Sequence, residues 1–345
     1  MLLYLLAPFS WLYAMVTHVR NLLYDLGWKK STSFDRVVIS VGNLNVGGTG
    51  KTPMIEYLVE LLKKDYSIAI LSRGYGRHTK GFRLAGEQDD AFSIGDEPFQ
   101  FYKKYHQQVS VAVCEDRVAG INKLLAGKPA LQVILLDDAF QHRAVKPLFS
   151  ILLTDFSKPF FTDYVLPMGR LREPRMGSNR ADILVVTKCK DISVEMETKV
   201  KKAALSYAGE KPVFFSGIRY KDLISLDGEA PIKNKIILVT GIANPQPMID
   251  YVSSKFELIH HFRYDDHYEY LSIDIKMIQE KAGSGASVLT TEKDMVKLIS
   301  PALNGVIDKK LWFYLPVEAY FLNNGSEFDD SIAKRIKSQL NSLKI

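Results

Sequence analysis

The feature that most limits what this chain can fold into is the run VVISVGNLNVGGTGKTPMIEYLVELL, which begins at Val37. An apolar segment ends at Gly42, a loop holding Gly47, Gly48 and Gly50 follows, and Lys51-Thr52 opens a segment with helical apolar spacing. Glycines let successive backbone N–H groups turn toward phosphate oxygens, and the N-terminal end of the following helix adds partial positive charge. On that reading Asn45, Val46, Gly47, Gly48, Thr49, Gly50, Lys51 and Thr52 cradle a nucleotide. Lys51 reaches its β- and γ-phosphates, and the Thr52 hydroxyl holds Mg2+. Pro53 falls just inside the helix, where its missing N–H costs little. The strict loop pattern has a glycine where this chain has Asn45. Asparagine is the other residue that best tolerates left-handed backbone, so the turn is expected to survive in that conformation.

Seven apolar runs with strand character lie between Val37 and Gly217: VVISVGN, SIAILSRG, VSVAVCE, LQVILLDDA, SILLTDF, ADILVVTK and PVFFSGI. Several are unbroken β-branched or leucine runs, the pattern of strands buried on both faces of a parallel sheet. Helical stretches such as PMIEYLVELLKK and DRVAGINKLLAG separate them. The fold class is therefore α/β, a P-loop-type doubly wound and mostly parallel sheet that binds ligands at the carboxyl ends of its strands. VILLDDAFQH adds an apolar strand ending in Asp137 and Asp138, where a carboxylate can hold Mg2+ directly or through water. His142, just beyond, reads either as a sensor residue or as a structural hydrogen-bonder, the structural role being the first expectation. The polar stretch KDLISLDGEAPIKNK is a connector. After it, KIILVTGI, FELIHHFRY, ASVLTTEKD, LWFYLPVEAYF and a last helix read as a second, smaller α/β domain. The expected division is residues 1–27 as an N-terminal membrane-anchoring helix, 28–220 as the P-loop nucleotide-binding core and 221–345 as the second, smaller α/β domain.

Residues 1–17 carry no charged side chain, and the apolar pattern continues through VRNLLYDLGW. No basic leading segment or small-residue cleavage site marks a signal peptide, and the run is short for a membrane span. On a helix Ser10, Thr17, Asn21 and Asp25 share one stripe, and Leu, Phe, Trp and Tyr cover the rest. Tyr4, Trp11 and Tyr13 suit the headgroup level, and Arg20, Lys29 and Lys30 suit anionic lipid. The first expectation is a helix lying in the membrane interface, the second a helix packed on the domain. The net charge of +6 favours an anionic partner without choosing one. No nucleic-acid-binding module is recognisable, so nucleic acid is not expected as a partner. Cys114 and Cys189 cannot make a disulfide framework and read as buried apolar residues.

A phosphate loop serves switches, partner-coupled motors and small-molecule kinases alike. A kinase also needs a base for the acceptor hydroxyl and a surface for the acceptor. SIGDEPF offers Asp96 and Glu97 after a glycine, and FRYDDHYEY sets Asp266 beside His267. VLPMGRLREPRMGSNR carries Arg170, Arg172, Arg175 and Arg180, which suit a phosphate because a guanidinium binds two oxygens at once. Each stretch alone also reads as a cap, a surface pair or a solvated basic loop. The rival function is a partner-coupled P-loop NTPase of the chaperone or insertion-factor type. Lys188 and Asp191 of VTKCKD, and Lys293 and Asp294 of TEKD, point toward it without the spacing of a guanine-reading motif.

Together VGNLNVGGTGKTP, LSRGYGR, GDEP, LLDDAFQH, LPMGRLREP, FRYDDHY and TEKD resemble the tetraacyldisaccharide 4′-kinases of lipid A biosynthesis, over most of the chain. The resemblance implies ATP-dependent phosphorylation of the 4′-hydroxyl of a tetraacyldisaccharide 1-phosphate, at the cytoplasmic face of the inner membrane, with no obligate protein partner. It implies Lys51 and Thr52 for ATP and Mg2+, and Asp138 with Asp137 as the metal-side acids. Asp96, assisted by His267, would activate the sugar hydroxyl. Arg73 and Tyr75 of SRGYG, with Arg172 and Glu173 of LREP, would lie on the substrate and metal side. The substrate's own phosphate would account for the arginine-rich loop, and its lipid character for the apolar N-terminus. Two departures stand out: Ala139 follows the paired aspartates where the family usually has glycine, and Tyr268 follows His267 where it usually has a second histidine.

Overall fold

The structure, a computed structural model, describes residues 5–343. In chain order its strands are β1 (Val37–Asn43), β2 (Ile68–Ser72), β3 (Arg83–Leu84), β4 (Ser110–Val113), β5 (Val133–Asp137), β6 (Phe149–Asp155) and β7 (Ile183–Thr187). They continue as β8 (Val213–Tyr220), β9 (Ile224–Ser225), β10 (Lys235–Thr240), β11 (Glu257–Arg263), β12 (Ser287–Thr291), β13 (Trp312–Leu315) and β14 (Val317–Phe321). The α-helices are α1 (Ala7–Asp25), α2 (Lys51–Leu62), α3 (Ala91–Ile94), α4 (Asp96–Tyr105) and α5 (Arg117–Gly127), followed by α6 (Val194–Ala208), α7 (Gln246–Lys255), α8 (Ser272–Ala282), α9 (Glu292–Leu298) and α10 (Gly325–Leu343). They form two compact units: residues 1–73, 107–219 and 319–345, and residues 74–106 with 220–318.

In the first unit the sheet runs in the order β14-β8-β7-β6-β1-β5-β2-β4. β1 lies parallel between β5 and β6, and β2, β4, β7 and β8 extend the parallel pairing outward. Every residue of β1, β2, β5, β6 and β7 is buried, which accounts for their unbroken apolar sequences. Because β1 is central, the loop that follows it opens at the carboxyl edge, where the neighbouring strands also end. Helix α10 belongs here: its stripe Phe328, Ile332 and Ile336 is fully buried, and Phe328 meets Tyr57, Phe214 and Phe321. Tyr57 also donates to Asp329 at 2.9 Å.

The second unit carries the sheet order β11-β10-β12-β13-β9, parallel except for β9. Ile237, Val239, Ile278, Val288 and Trp312 fill one of its apolar clusters, and Ile236, Leu238, Met248, Leu289 and Phe313 another. Helix α4 packs on α9, with Lys104 paired to Glu292 at 3.1 Å. The two compact units do not follow a contiguous division at residue 220. Residues 74–106 join 220–318 through the α4–α9 packing, and residues 319–345 return to the first unit because the apolar stripe of α10 is buried there.

Helix α1 presents an inverted amphipathic pattern. Ser10 is buried and donates to the Val165 carbonyl, and Asn21 donates to Glu173 at 2.7 Å. Arg20 reaches the Gln141 carbonyl, and Arg143 clasps the end of the helix through the Asn21 carbonyl and Asp25. The polar stripe thus faces the protein, while Phe9, Trp11, Leu12, Met15 and Val16 are exposed. Tyr4 lies outside the described residues. Among those described, no helix is long and apolar enough to cross a membrane.

Candidate active site

The phosphate loop of the first unit is built as the sequence requires at most positions. Gly47 and Gly50 have φ of +105° and +81°, a region that favours glycine, and nothing stands within 4 Å of where a side chain on Gly47 or Gly48 would project. Thr49 is buried and accepts from Asn43 at 2.7 Å, and its carbonyl accepts from Thr187 at 2.8 Å. Gly50 caps α2, whose first turn carries Lys51 and Thr52. Val46 is exposed, and its N–H is tied to the Arg170 carbonyl at 2.7 Å. Asn45 departs from expectation in its reason. It is not among the residues with positive φ; instead its buried side chain donates to Asp163 at 3.0 Å and anchors the loop from the side.

Asp137 ends β5, buried, and accepts from the Ser72 hydroxyl at 3.0 Å. Asp138 follows in left-handed backbone, φ +45°, a conformation that is strained for a non-glycine residue. That turn aims its carboxylate at Arg172, which grips both oxygens at 2.7 and 3.0 Å, and places it 3.8 Å from Lys51. Burial alone would raise the Asp138 pKa, but the charge of Lys51, the hydrogen bond and charge of Arg172, and the charge of Arg117 together hold it below the ordinary value. Arg172 also bonds the Asn43 carbonyl and side chain, so one guanidinium ties the end of β1 to the end of β5.

Glu173, which the resemblance puts on the metal side, is held by three side chains. Its two oxygens accept from Asn21, Gln141 and Arg180, which makes it the joint between α1 and the loop after β5. The arginines of the loop likewise have partners within the protein. Arg170 pairs with Asp163 at 2.8 Å, Arg180 pairs with Glu173 and stacks on Phe140, and Arg175 bonds the Asp163 carbonyl and Tyr207. The cluster is internal architecture, held by the acids interleaved with it. His142 accepts from the Arg117 N–H, and burial together with the charges of Arg117, Arg20 and Arg73 pushes its pKa down to about 4, so a neutral structural ring is what the fold contains. Arg73 stands exposed just past the carboxyl end of β2.

Sequence reasoning gave Lys188 only a minor place. It has φ +58° and lies across the phosphate loop, bonded to the Gly48 carbonyl and to Asp155 at 2.8 Å. Asp191 of the same motif is exposed.

The second unit assembles a different set. Gly95, φ +96°, precedes α4, and a side chain there would meet the Tyr75 carbonyl at 3.0 Å. Asp96 and Glu97 occupy the first helical turn, where the helix dipole favours carboxylates. His267, also left-handed at φ +64°, sets Nδ1 3.0 Å from Asp96 Oδ2, and its ring lies 5.3 Å from that of the exposed Tyr75. On its other side, Nε2 is 3.2 Å from Lys293 Nζ, which also bonds Asp266 at 2.8 Å. The sequence placed Asp96, His267 and Tyr75 in separate motifs, and the fold brings them together. It also brings in Lys293, which the sequence offered only in a loose nucleotide-reading element, and Lys297 of α9, which sequence reading did not select; the signal was the periodic charge in TEKDMVK.

A sequence model of the family "Tetraacyldisaccharide-1-P 4'-kinase" matches residues 2–337. The tetraacyldisaccharide 4'-kinase of Flavobacterium johnsoniae is 44% identical over 343 residues, covering 97% of this chain and 98% of the relative. That of Flavobacterium psychrophilum is 45% identical over 340 residues, with 96% of each chain covered. Among solved structures, the "apo" form of LpxK from Aquifex aeolicus in complex with ATP superposes with a TM-score of 0.77 at 30% identity, covering 97% of this chain and all of that one.

Proposed function

The chain belongs to the tetraacyldisaccharide-1-P 4'-kinase family, and on that premise we propose that it transfers the γ-phosphoryl group of ATP to the 4′-hydroxyl of a tetraacyldisaccharide 1-phosphate. The observation that carries this reading is the Asp96–His267 pair, because a phosphate loop alone serves any NTPase, whereas a carboxylate held by an imidazole is what a hydroxyl acceptor requires. The backbone from Asn45 to Gly50 cradles the phosphates, Lys51 offsets the charge of the transferring group, and Arg172 keeps Asp138 fixed beside it. The Thr52 hydroxyl and the carboxylates of Asp137 and Asp138 are hard oxygen donors that fit Mg2+, and they would hold it. When bound, that ion neutralises charge on the β- and γ-phosphates.

Asp96 takes the proton from the 4′-hydroxyl as its oxygen bonds to the γ-phosphorus. The bond from that phosphorus to the β–γ bridging oxygen breaks, and ADP leaves. His267 orients Asp96 and shares its proton. Arg73 and Tyr75 are assigned to the sugar and phosphate of the acceptor, on the strength of their exposure at the end of β2 and beside His267. The outward apolar face of α1 supports docking on a membrane that holds such a lipid, and the need for ATP favours the cytoplasmic face of the inner membrane as the site of action.

The test is transfer from γ-labelled ATP to a tetraacyldisaccharide 1-phosphate in detergent micelles. Labelled lipid is expected, reduced roughly 100-fold or more in Lys51→Ala. Release of free phosphate without labelled lipid would remove the kinase reading and favour a partner-coupled NTPase.

A further inference from the structure

Lys297 is a lysine almost without water. Its side chain is 2% exposed, and its ammonium sits 2.9 Å from Asp294, 3.1 Å from the Tyr268 carbonyl and over the ring of Tyr270 at 5.4 Å. A buried ammonium is costly unless a carboxylate compensates it, and Asp294, with no exposed side-chain surface, already does so. Asp294 is itself fixed by the Gly241 N–H and the Thr291 hydroxyl, so this pair has a rigid seat. A second carboxylate at 3.8 Å is not needed for compensation, yet there is one, and it is Asp96.

We propose that Lys297 is a positioning residue that sets the basicity of Asp96, its charge divided by geometry between Asp294 and the carboxylate that activates the acceptor hydroxyl. The inference rests on the assignment of Asp96 as the base. The ionisable groups around Asp96 support a division of this kind. Glu97 adjoins it on α4, and Lys293, Asp294 and Lys297 face it from α9. Asp266 and His267 come from the loop after β11, and Arg77, whose guanidinium donates to the Gly81 carbonyl, lies on the segment before α4. Four carboxylates thus share two lysines and one imidazole. Lys293 bonds Asp266, contacts His267 and also feels the charges of Glu97 and Asp96, and Lys297 is a second, fixed cation 3.8 Å from Asp96 whose line to it does not pass through the histidine.

The sign follows from Coulomb's law. Removing the Lys297 charge raises the proton affinity of Asp96, and removing the Asp294 charge lowers it. The acid limb of kcat/KM against pH should therefore move up by about one unit in Lys297→Met and down by about one unit in Asp294→Asn. The double variant should return near the parent, and KM for ATP should stay unchanged in all three. A purely structural pair would lower activity or Tm without moving the limb, and coincident limbs in the two single variants would overturn the proposal. If Lys297→Met fails to fold, Asp294→Asn decides alone, because an unmoved limb in that variant is equally fatal. Asp96→Asn separates the two claims. Retained turnover there removes the base assignment itself, whereas lost turnover with unmoved limbs removes only the role of Lys297.

Discussion

At the scale of single residues, the fold decides charge states that composition leaves open. His142 is the clearest case, with a folded-state pKa of about 4 against 6.5 for an unperturbed ring. A depressed histidine contributes stability that is fully present above pH 6.5 and is lost as pH falls toward 4, because the unfolded chain takes up a proton that the native ring refuses. His142→Gln should flatten the stability–pH curve across that window by about 2 kcal/mol, less than the full shift because the ring is partly exposed. Urea unfolding at a series of pH values measures this, and parallel curves for parent and variant would exclude it. The residue scale is also where the sequence was least legible. Asp138 and His267 reach their partners Arg172 and Asp96 from left-handed backbone, and nothing in DDAF or DDHY announces it. Asn45 reads as a glycine substitute and proves to be a side-chain anchor on Asp163.

At the scale of elements, periodic pattern served well wherever one physical cause dominated. The fully apolar runs became buried parallel strands, and the glycine-rich loop before Lys51 became the capped start of α2. It served poorly in the arginine-rich loop, where the basic residues looked free because their partners Asp163, Asp138 and Glu173 are remote or interleaved. Helix α1 lies between these cases: the stripe Ser10–Asn21–Asp25 was visible, but not that it would turn inward. With Phe9 and Trp11 at 63% and 73% exposure, neither holds the fold together. Phe9→Glu with Trp11→Glu should lower co-sedimentation with anionic phospholipid vesicles about 10-fold or more while leaving Tm within about a degree. Unaltered vesicle binding would contradict membrane docking through this face.

At the scale of the whole molecule, the chain leaves the first unit, returns and leaves again before α10 closes it. Linear reading found the passage near residue 220 from its polar connector, but not the inclusion of residues 74–106 in the second unit, because packing of α4 on α9 has no local signature. A fragment of residues 221–345 should therefore fail to fold: it lacks α4, and it carries α10, whose Phe328, Ile332 and Ile336 would be stripped of their cover. Far-ultraviolet circular dichroism and a melting curve test this, and a cooperative transition in the isolated fragment would refute it. The inward polar stripe of α1 bears on how such a protein can be handled. Trimming the first 27 residues is the obvious remedy for a sticky apolar surface. Here it would also unseat Asn21 from Glu173 and Arg20 from Gln141, beside the arginine that steadies Asp138. The greasy outside and the polar seat beside Asp138 are two sides of one helix, so a deletion made for solubility also removes contacts that hold that seat.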